Sequence, residues 1–162
     1  MQEVDILTIL GLGLTLQDYQ ERYLKGEAPY FETNDLVFEC THCGQCCSRP
    51  GVVYLTELDI LDISEHLHMT PEELQQAFLV EEDAQWLLEV TDGDQCPFFK
   101  NDRCTIHHVK PQQCQTYPFW PEIVGTQHDW HTEALRCPGI GKGPAYTPQH
   151  VRDLLLGLSR TP

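Results

Sequence analysis

Positive charge is what this chain most lacks. Its 162 residues carry 10 Lys and Arg against 25 Asp and Glu, a formal net charge of −15. Phosphate backbones repel such a surface, which excludes nucleic-acid binding through a broad basic patch, and anionic membrane surfaces are equally poor partners. The deficit is uneven, because residues 52–90 hold ten Asp or Glu and no Lys or Arg. A surface of that kind keeps a protein soluble or recruits a basic partner. Long apolar runs are also missing. Residues 6–16 are apolar but too few to span a bilayer. They imitate the centre of an export signal, yet Glu3 and Asp5 stand where its basic segment belongs, and no small-residue cleavage site follows. The expectation is a cytoplasmic protein, where thiols stay reduced and clustered cysteines hold metal more often than disulfides. Repeats, low-complexity tracts, Ser-His-acid patterns and paired carboxylates are absent too. Apolar content, at 41%, is enough for a folded domain.

Cysteine, by contrast, is concentrated. Four of eight cysteines fall in Cys40-x-x-Cys43-x-x-Cys46-Cys47. Packing alone does not demand thiols at that density, whereas CxxC pairs bring two sulfurs to one side of a tight turn, as a thiophilic metal needs. Neighbouring side chains diverge in strand and helix alike, so Cys46 and Cys47 share one small ion only through a special turn, which Gly44 would permit. The simpler solution is that they serve different iron atoms, different metals, or one metal and one structural role. Cys96, Cys104, Cys114 and Cys137 form a second set, two of them followed by proline, which fixes the chain direction after a ligand. Eight thiols fit two four-cysteine sites, or one cluster plus spare thiols. Arg49, Lys100, Arg103, Lys110, Arg136 and Lys142 each lie within five positions of a cysteine, where positive charge lowers thiol pKa. His42 and His107 are further ligand or supporting candidates.

Around these cysteines the pattern predicts an α+β fold, a small single domain with short strands, several helices and long metal-wrapping loops. Residues 1–35 form an appendage with a helix near 16–25, residues 36–145 the cysteine-cluster domain, and residues 146–162 a helix packed on it. Residues 52–55 and 85–90 read as strands. Thr56-x-x-Asp59 caps a helix to about His68 whose apolar face would carry Leu58, Leu61 and Leu67, and Thr70-Pro71-Glu72-Glu73 starts another to about Leu79. Turns are expected at residues 91–94 and at Asn101-Asp102. Residues 96–114 should wrap a site rather than span the core. Residues 120–124 and 130–135 read as strands paired across a loop containing Gly125. Thr147-Pro148 opens a last helix with Val151, Leu154, Leu155 and Leu158 on one face. The run Gly139-Ile140-Gly141-Lys142-Gly143 lacks the full phosphate-loop pattern and reads as a turn presenting Cys137. Tyr117, Phe119, Trp120 and Trp130 wall off the site or fill the core. Asp59, in a first helical turn, reads as dipole compensation.

These residues resemble a known family. Phe38-x-Cys40-x-x-Cys43-Gly44-x-Cys46-Cys47 is similar to the opening of the bacterial CxxCxxCC, or YkgJ-like, cysteine-cluster proteins, a zinc- or iron-chelating family. Leu55-Thr56 with Asp59-Ile60, Cys96-Pro97-Phe98, Cys104-x-Ile106-His107, Lys110-Pro111-x-x-Cys114, Tyr117-Pro118-Phe119 and Cys137-Pro138-Gly139-Ile140-Gly141 follow in the family's order. The resemblance covers residues 38–143. His107 stands where tyrosine is common and Lys110 where arginine is common, and lysine lacks the planar fork of a guanidinium. The resemblance implies a metal or cluster held by Cys40, Cys43, Cys46, Cys47, Cys96, Cys104, Cys114 and Cys137. The first expectation is an iron–sulfur protein, with one or two clusters of [4Fe–4S] type serving electron transfer or redox sensing as an oxidoreductase, with a basic redox or client protein as partner. The alternatives are a zinc protein whose four-cysteine sites staple an interaction module, or an iron- or zinc-handling protein.

Overall fold

The computed structural model describes Glu21, residues 28–159 and Thr161. The helix expected near residues 16–25 lies, Glu21 apart, outside the described residues. In chain order the elements are α1 (Tyr30–Thr33), β1 (Leu36–Phe38), a 3-10 turn (Gln45–Ser48), β2 (Gly51–Leu55), α2 (Glu57–Leu67), α3 (Pro71–Phe78), β3 (Val80–Glu82), β4 (Gln85–Val90), β5 (Phe99–Lys100), β6 (Arg103–Cys104), a second 3-10 turn (His107–Val109), α4 (Gln112–Thr116), α5 (Pro121–Val124), α6 (Gln127–Ala134), β7 (Ile140–Tyr146) and α7 (Pro148–Leu155). The fold is α+β. It divides into two compact units: one runs to Thr41 and resumes at Thr116, and the other is His42–Gln115.

The first unit is built on an antiparallel pair, β1 with β7, in the register Leu36↔Tyr146 and Phe38↔Ile140. One hydrogen bond extends the pairing, Glu39 N–H donating to Gly139 O at 3.1 Å. Phe31, Phe119, Val124, Val151 and Leu154 are completely buried beside it. The strands expected at residues 120–124 and 130–135 are helices α5 and α6. Pro121 has no N–H to give a ladder but fits a first helical turn, and the Thr126 side chain accepts from Asp129 N–H to cap α6. Tyr117, Phe119, Trp120 and Trp130 are core packing, and buried Tyr117 donates its hydroxyl to Glu133 at 2.6 Å. On α7, Val151, Leu154 and Leu155 are buried as expected. Leu158 is 70% exposed, because the helix stops at Leu155.

The second unit contains the sheet β2-β4-β3 and the hairpin β5-β6. Both expected capping boxes form: Thr56 Oγ1 accepts from Asp59 N–H while Asp59 answers Thr56 N–H, and Thr70 and Glu73 do the same for α3. Such caps contribute about 1 kcal/mol each. The buried face of α2 is only partly the one expected: of its three leucines, Leu67 alone packs on the core. Leu58 and Leu61 are 65% and 52% exposed, while Asp59, Ile60, Ile63 and Ser64 face inward. The reason is Asp59: one carboxylate oxygen caps its own helix and the other accepts from Gln112 N–H at 2.9 Å, which turns its face of the helix toward α4. Residues 96–114 do more than wrap a site, since Phe98 and Ile106 belong to the core of this unit. Asn101 and Asp102, at φ 52° and 59°, make the tight β5-β6 turn. The free edge of β2 is closed by one side chain: Gln113 accepts from Tyr54 N–H at 3.0 Å and donates to Val52 O at 3.2 Å, in place of a neighbouring strand.

Candidate metal centre

Gly44 makes a tight turn just ahead of the cysteine doublet. Gly44 caps the 3-10 turn Gln45–Ser48 in the left-handed region at φ 72°. It is also a point of close approach, since an added Cβ would overlap the ring of Phe99. Phe99 and Cys104 are directly paired across the β5-β6 hairpin, so their side chains share a face. Seating Phe99 on Gly44 therefore carries Cys104 to the turn that bears Cys46 and Cys47. Two further bonds fasten the segment before the hairpin: Cys96 N–H donates to Cys47 O at 2.8 Å, and Gln95 Nε2 to Ser48 Oγ at 3.2 Å.

The result is a knot of thiols within one unit. Cys47 interacts with both Cys104 and Cys46 and is pushed up by them, by Cys104 first and Cys46 second. The same interactions hold the neighbours down. The Cys46 thiol falls to about 6, by Cys47 and then by the charges of Lys110 and Arg49. The Cys104 thiol falls to about 7, by Cys47, by the N–H of Ile106 and by Lys110. Cys96 is pushed up by burial, against the pull of the Phe98 and Phe99 N–H groups. Cys114, on α4, is pushed up by burial and by the nearby Cys46 and Cys96. Cys43 is exposed and completes six thiols between His42 and Gln115.

The remaining two cysteines belong to the other unit. Cys137 is buried, and half-buried Cys40 packs on the same apolar cluster. The β1-β7 register sets them on neighbouring segments, two residues beyond Phe38 and three before Ile140. A turn does follow Cys137, with Ile140 N–H donating to Cys137 O at 3.2 Å, but the run Gly139–Gly143 expected to make it is mostly strand, because β7 starts at Ile140 and pairs with β1.

The donor set suits a soft or borderline metal. All eight cysteines are free thiols. The nearby N–H groups of Phe98 and Ile106 favour the thiolates of Cys96 and Cys104, the kind of support that tunes metal–sulfur centres. Of the six bases counted near cysteines, Lys110 and Arg49 act on the knot. Lys110 reaches furthest, acting on Cys46, Cys104, Cys114 and His107. His42 and His107 lie with ring centroids 4.2 Å apart. His107 is held down to about 4 by burial and by the charge of Lys110. Sequence reasoning missed the N–H donors of Phe98, Phe99 and Ile106. Their signal was the two- and three-residue offset from Cys96 and Cys104, the spacing at which a backbone N–H folds back onto a preceding side chain.

Residues 39–138 match the family model CxxCxxCC, described as "putative zinc- or iron-chelating domain". No solved structure matches the chain. No helix among the described residues is long and apolar enough to cross a membrane.

Proposed function

This chain belongs to the CxxCxxCC family of zinc- or iron-chelating domains, and on that premise we propose that its cysteine-rich unit holds an iron–sulfur cluster for electron transfer or redox sensing. The observation that supports the reading is the number of thiols. Cys46, Cys47, Cys96, Cys104 and Cys114 act on one another within a single unit that also carries exposed Cys43. A lone tetrahedral ion takes four thiolates. Six leave room for a polynuclear centre with a spare thiol to exchange. When bound, a cluster supplies the one-electron chemistry. The chain's own part is to place the thiolates, to offset their charge with Lys110 and Arg49, and to bring N–H groups near the sulfurs, all of which set a potential.

A second reading, a mononuclear zinc or iron ion taken up and released, is favoured by the contact of Cys46, Cys47 and Cys104, since one tetrahedral ion needs its sulfurs close together. Exposed Cys43 and Cys46 would ease exchange. In either case a cytoplasmic setting suits free thiols, and a basic redox or client protein suits the acidic stretch of residues 52–90, which has no Lys or Arg and on which Leu58 and Leu61 are exposed. Anaerobic purification decides between the readings. A brown protein with stoichiometric iron and sulfide is expected, and a colourless one with tightly held zinc overturns the cluster in favour of the second reading.

A further inference from the structure

Two imidazoles lie beside the thiols, and the thiolate reading leaves them without a task. His42 directly precedes Cys43, and His107 follows Cys104 by three residues. Their rings are tilted at 40° with centroids 4.2 Å apart, and each offers a ring nitrogen within 4.8 Å of the other's. His42 is exposed and His107 half-buried, so the pair runs from solvent inward. His42 is also held at φ 55°, a left-handed conformation that costs a non-glycine residue energy and persists where the surroundings enforce it.

Imidazole nitrogen is a borderline donor that suits zinc and ferrous iron, and two nitrogens so spaced can hold one ion in adjacent coordination positions after a small ring movement. Two ligands bind far less firmly than four thiolates. A site of that strength fills from solvent and empties toward a stronger neighbour.

We propose that His42 and His107 form a receiving site for an incoming divalent zinc or iron ion, which is held there before it passes to the thiolates of Cys43, Cys46, Cys47 and Cys104. The inference rests on those thiolates being the final ligands. In the transfer the ion keeps its charge. The two metal–nitrogen bonds, and the bonds to the water molecules that complete the ion's coordination, are exchanged for metal–sulfur bonds, the water is released, and the displaced thiol protons leave to solvent. His108, edge-on to His107 with centroids 6.0 Å apart, braces the inner ring.

The test uses the full chain, reduced and stripped of metal, with zinc ion alone as the probe because it is redox-silent. Loading is followed by stopped-flow competition against a chromogenic chelator, and the equilibrium affinity is measured on the same samples. The variant carries His42→Asn, which tolerates the left-handed backbone, and His107→Phe, which keeps a ring in place. The expected result is loading slowed roughly tenfold, on the scale of lost ligand-supporting groups, with final stoichiometry and affinity unchanged. Loading at the parent rate overturns the proposal. So does an equal loss of rate and affinity, which would make the histidines permanent ligands. A parent protein that takes up no zinc would refute the thiolate reading itself, a separate outcome from either.

Discussion

Replacing Gly44 with alanine should damage the thiol knot in two separable ways. The first is backbone strain: at φ 72° an L side chain sits in the left-handed region, at a cost of about 1–2 kcal/mol. The second is steric. The new methyl would overlap the Phe99 ring, and moving that ring shifts the hairpin that carries Cys104, an overpacking cost of about 1–3 kcal/mol. Together they make about 2–5 kcal/mol, a large share of the roughly 5–15 kcal/mol that holds a domain folded. Gly93 provides the control, because it has φ 87° and an added Cβ there meets nothing within 4 Å, so Gly93→Ala carries the backbone cost alone. Urea unfolding of the reduced, metal-free protein should rank Gly44→Ala well below Gly93→Ala. Adding Phe99→Leu to Gly44→Ala should recover about 1–2 kcal/mol as a positive coupling. Metal content after reconstitution should fall for Gly44→Ala and not for Gly93→Ala. Equal destabilisation by the two glycine changes would refute the account of how the hairpin meets the turn.

Three other perturbations test separate parts of the account. Asp59→Ala removes half of a capping box and leaves the buried Gln112 N–H without its acceptor, so urea melts should show a loss of about 2–4 kcal/mol. Ile63→Ala, on the buried face of α2, should cost about 2–5 kcal/mol, whereas Leu58→Ser and Leu61→Ser should stay within about 0.5 kcal/mol of the parent in the same assay. In the reduced, metal-free protein Cys46 should be alkylated first, at a rate rising with pH through a midpoint near 6, because its thiol is held down and the thiolate is the reactive form; Cys114, pushed up by burial, should react last, and a Cys46 midpoint near the ordinary thiol value of about 8.5 would contradict the proposed charge arrangement.

Local chemistry was what the sequence made legible. Thr56 with Asp59 and Thr70 with Glu73 announced both capped helices, since a cap is decided within four residues. Alternation and turn residues placed β2, β4 and the Asn101-Asp102 turn for the same reason. The failures came where a distant partner decided the outcome. Leucine content pointed to Leu58 and Leu61 as the inner face of α2, but Asp59 is drawn inward by Gln112, 53 residues away. Aromatic and β-branched residues around Trp120 and Trp130 read as strands, yet Pro121 and the Thr126 cap had already set helix starts there. In the site, the spacing of the first cysteines announced a metal-binding turn and Gly44 announced its geometry. Spacing could not show that Cys104 meets Cys47, because that depends on Phe99 filling the space a side chain at position 44 would need.

Cys47 is the thiol that joins Cys46 to Cys104, and its replacement tests the centre most directly. Cys47→Ser and Cys40→Ser proteins should be purified anaerobically beside the parent and assayed for bound iron, zinc and acid-labile sulfide. The parent protein should carry iron and sulfide in stoichiometric amounts, and the Cys47→Ser protein should lose most of both. A folded Cys47→Ser protein that keeps the parent's full metal and sulfide content would contradict this expectation.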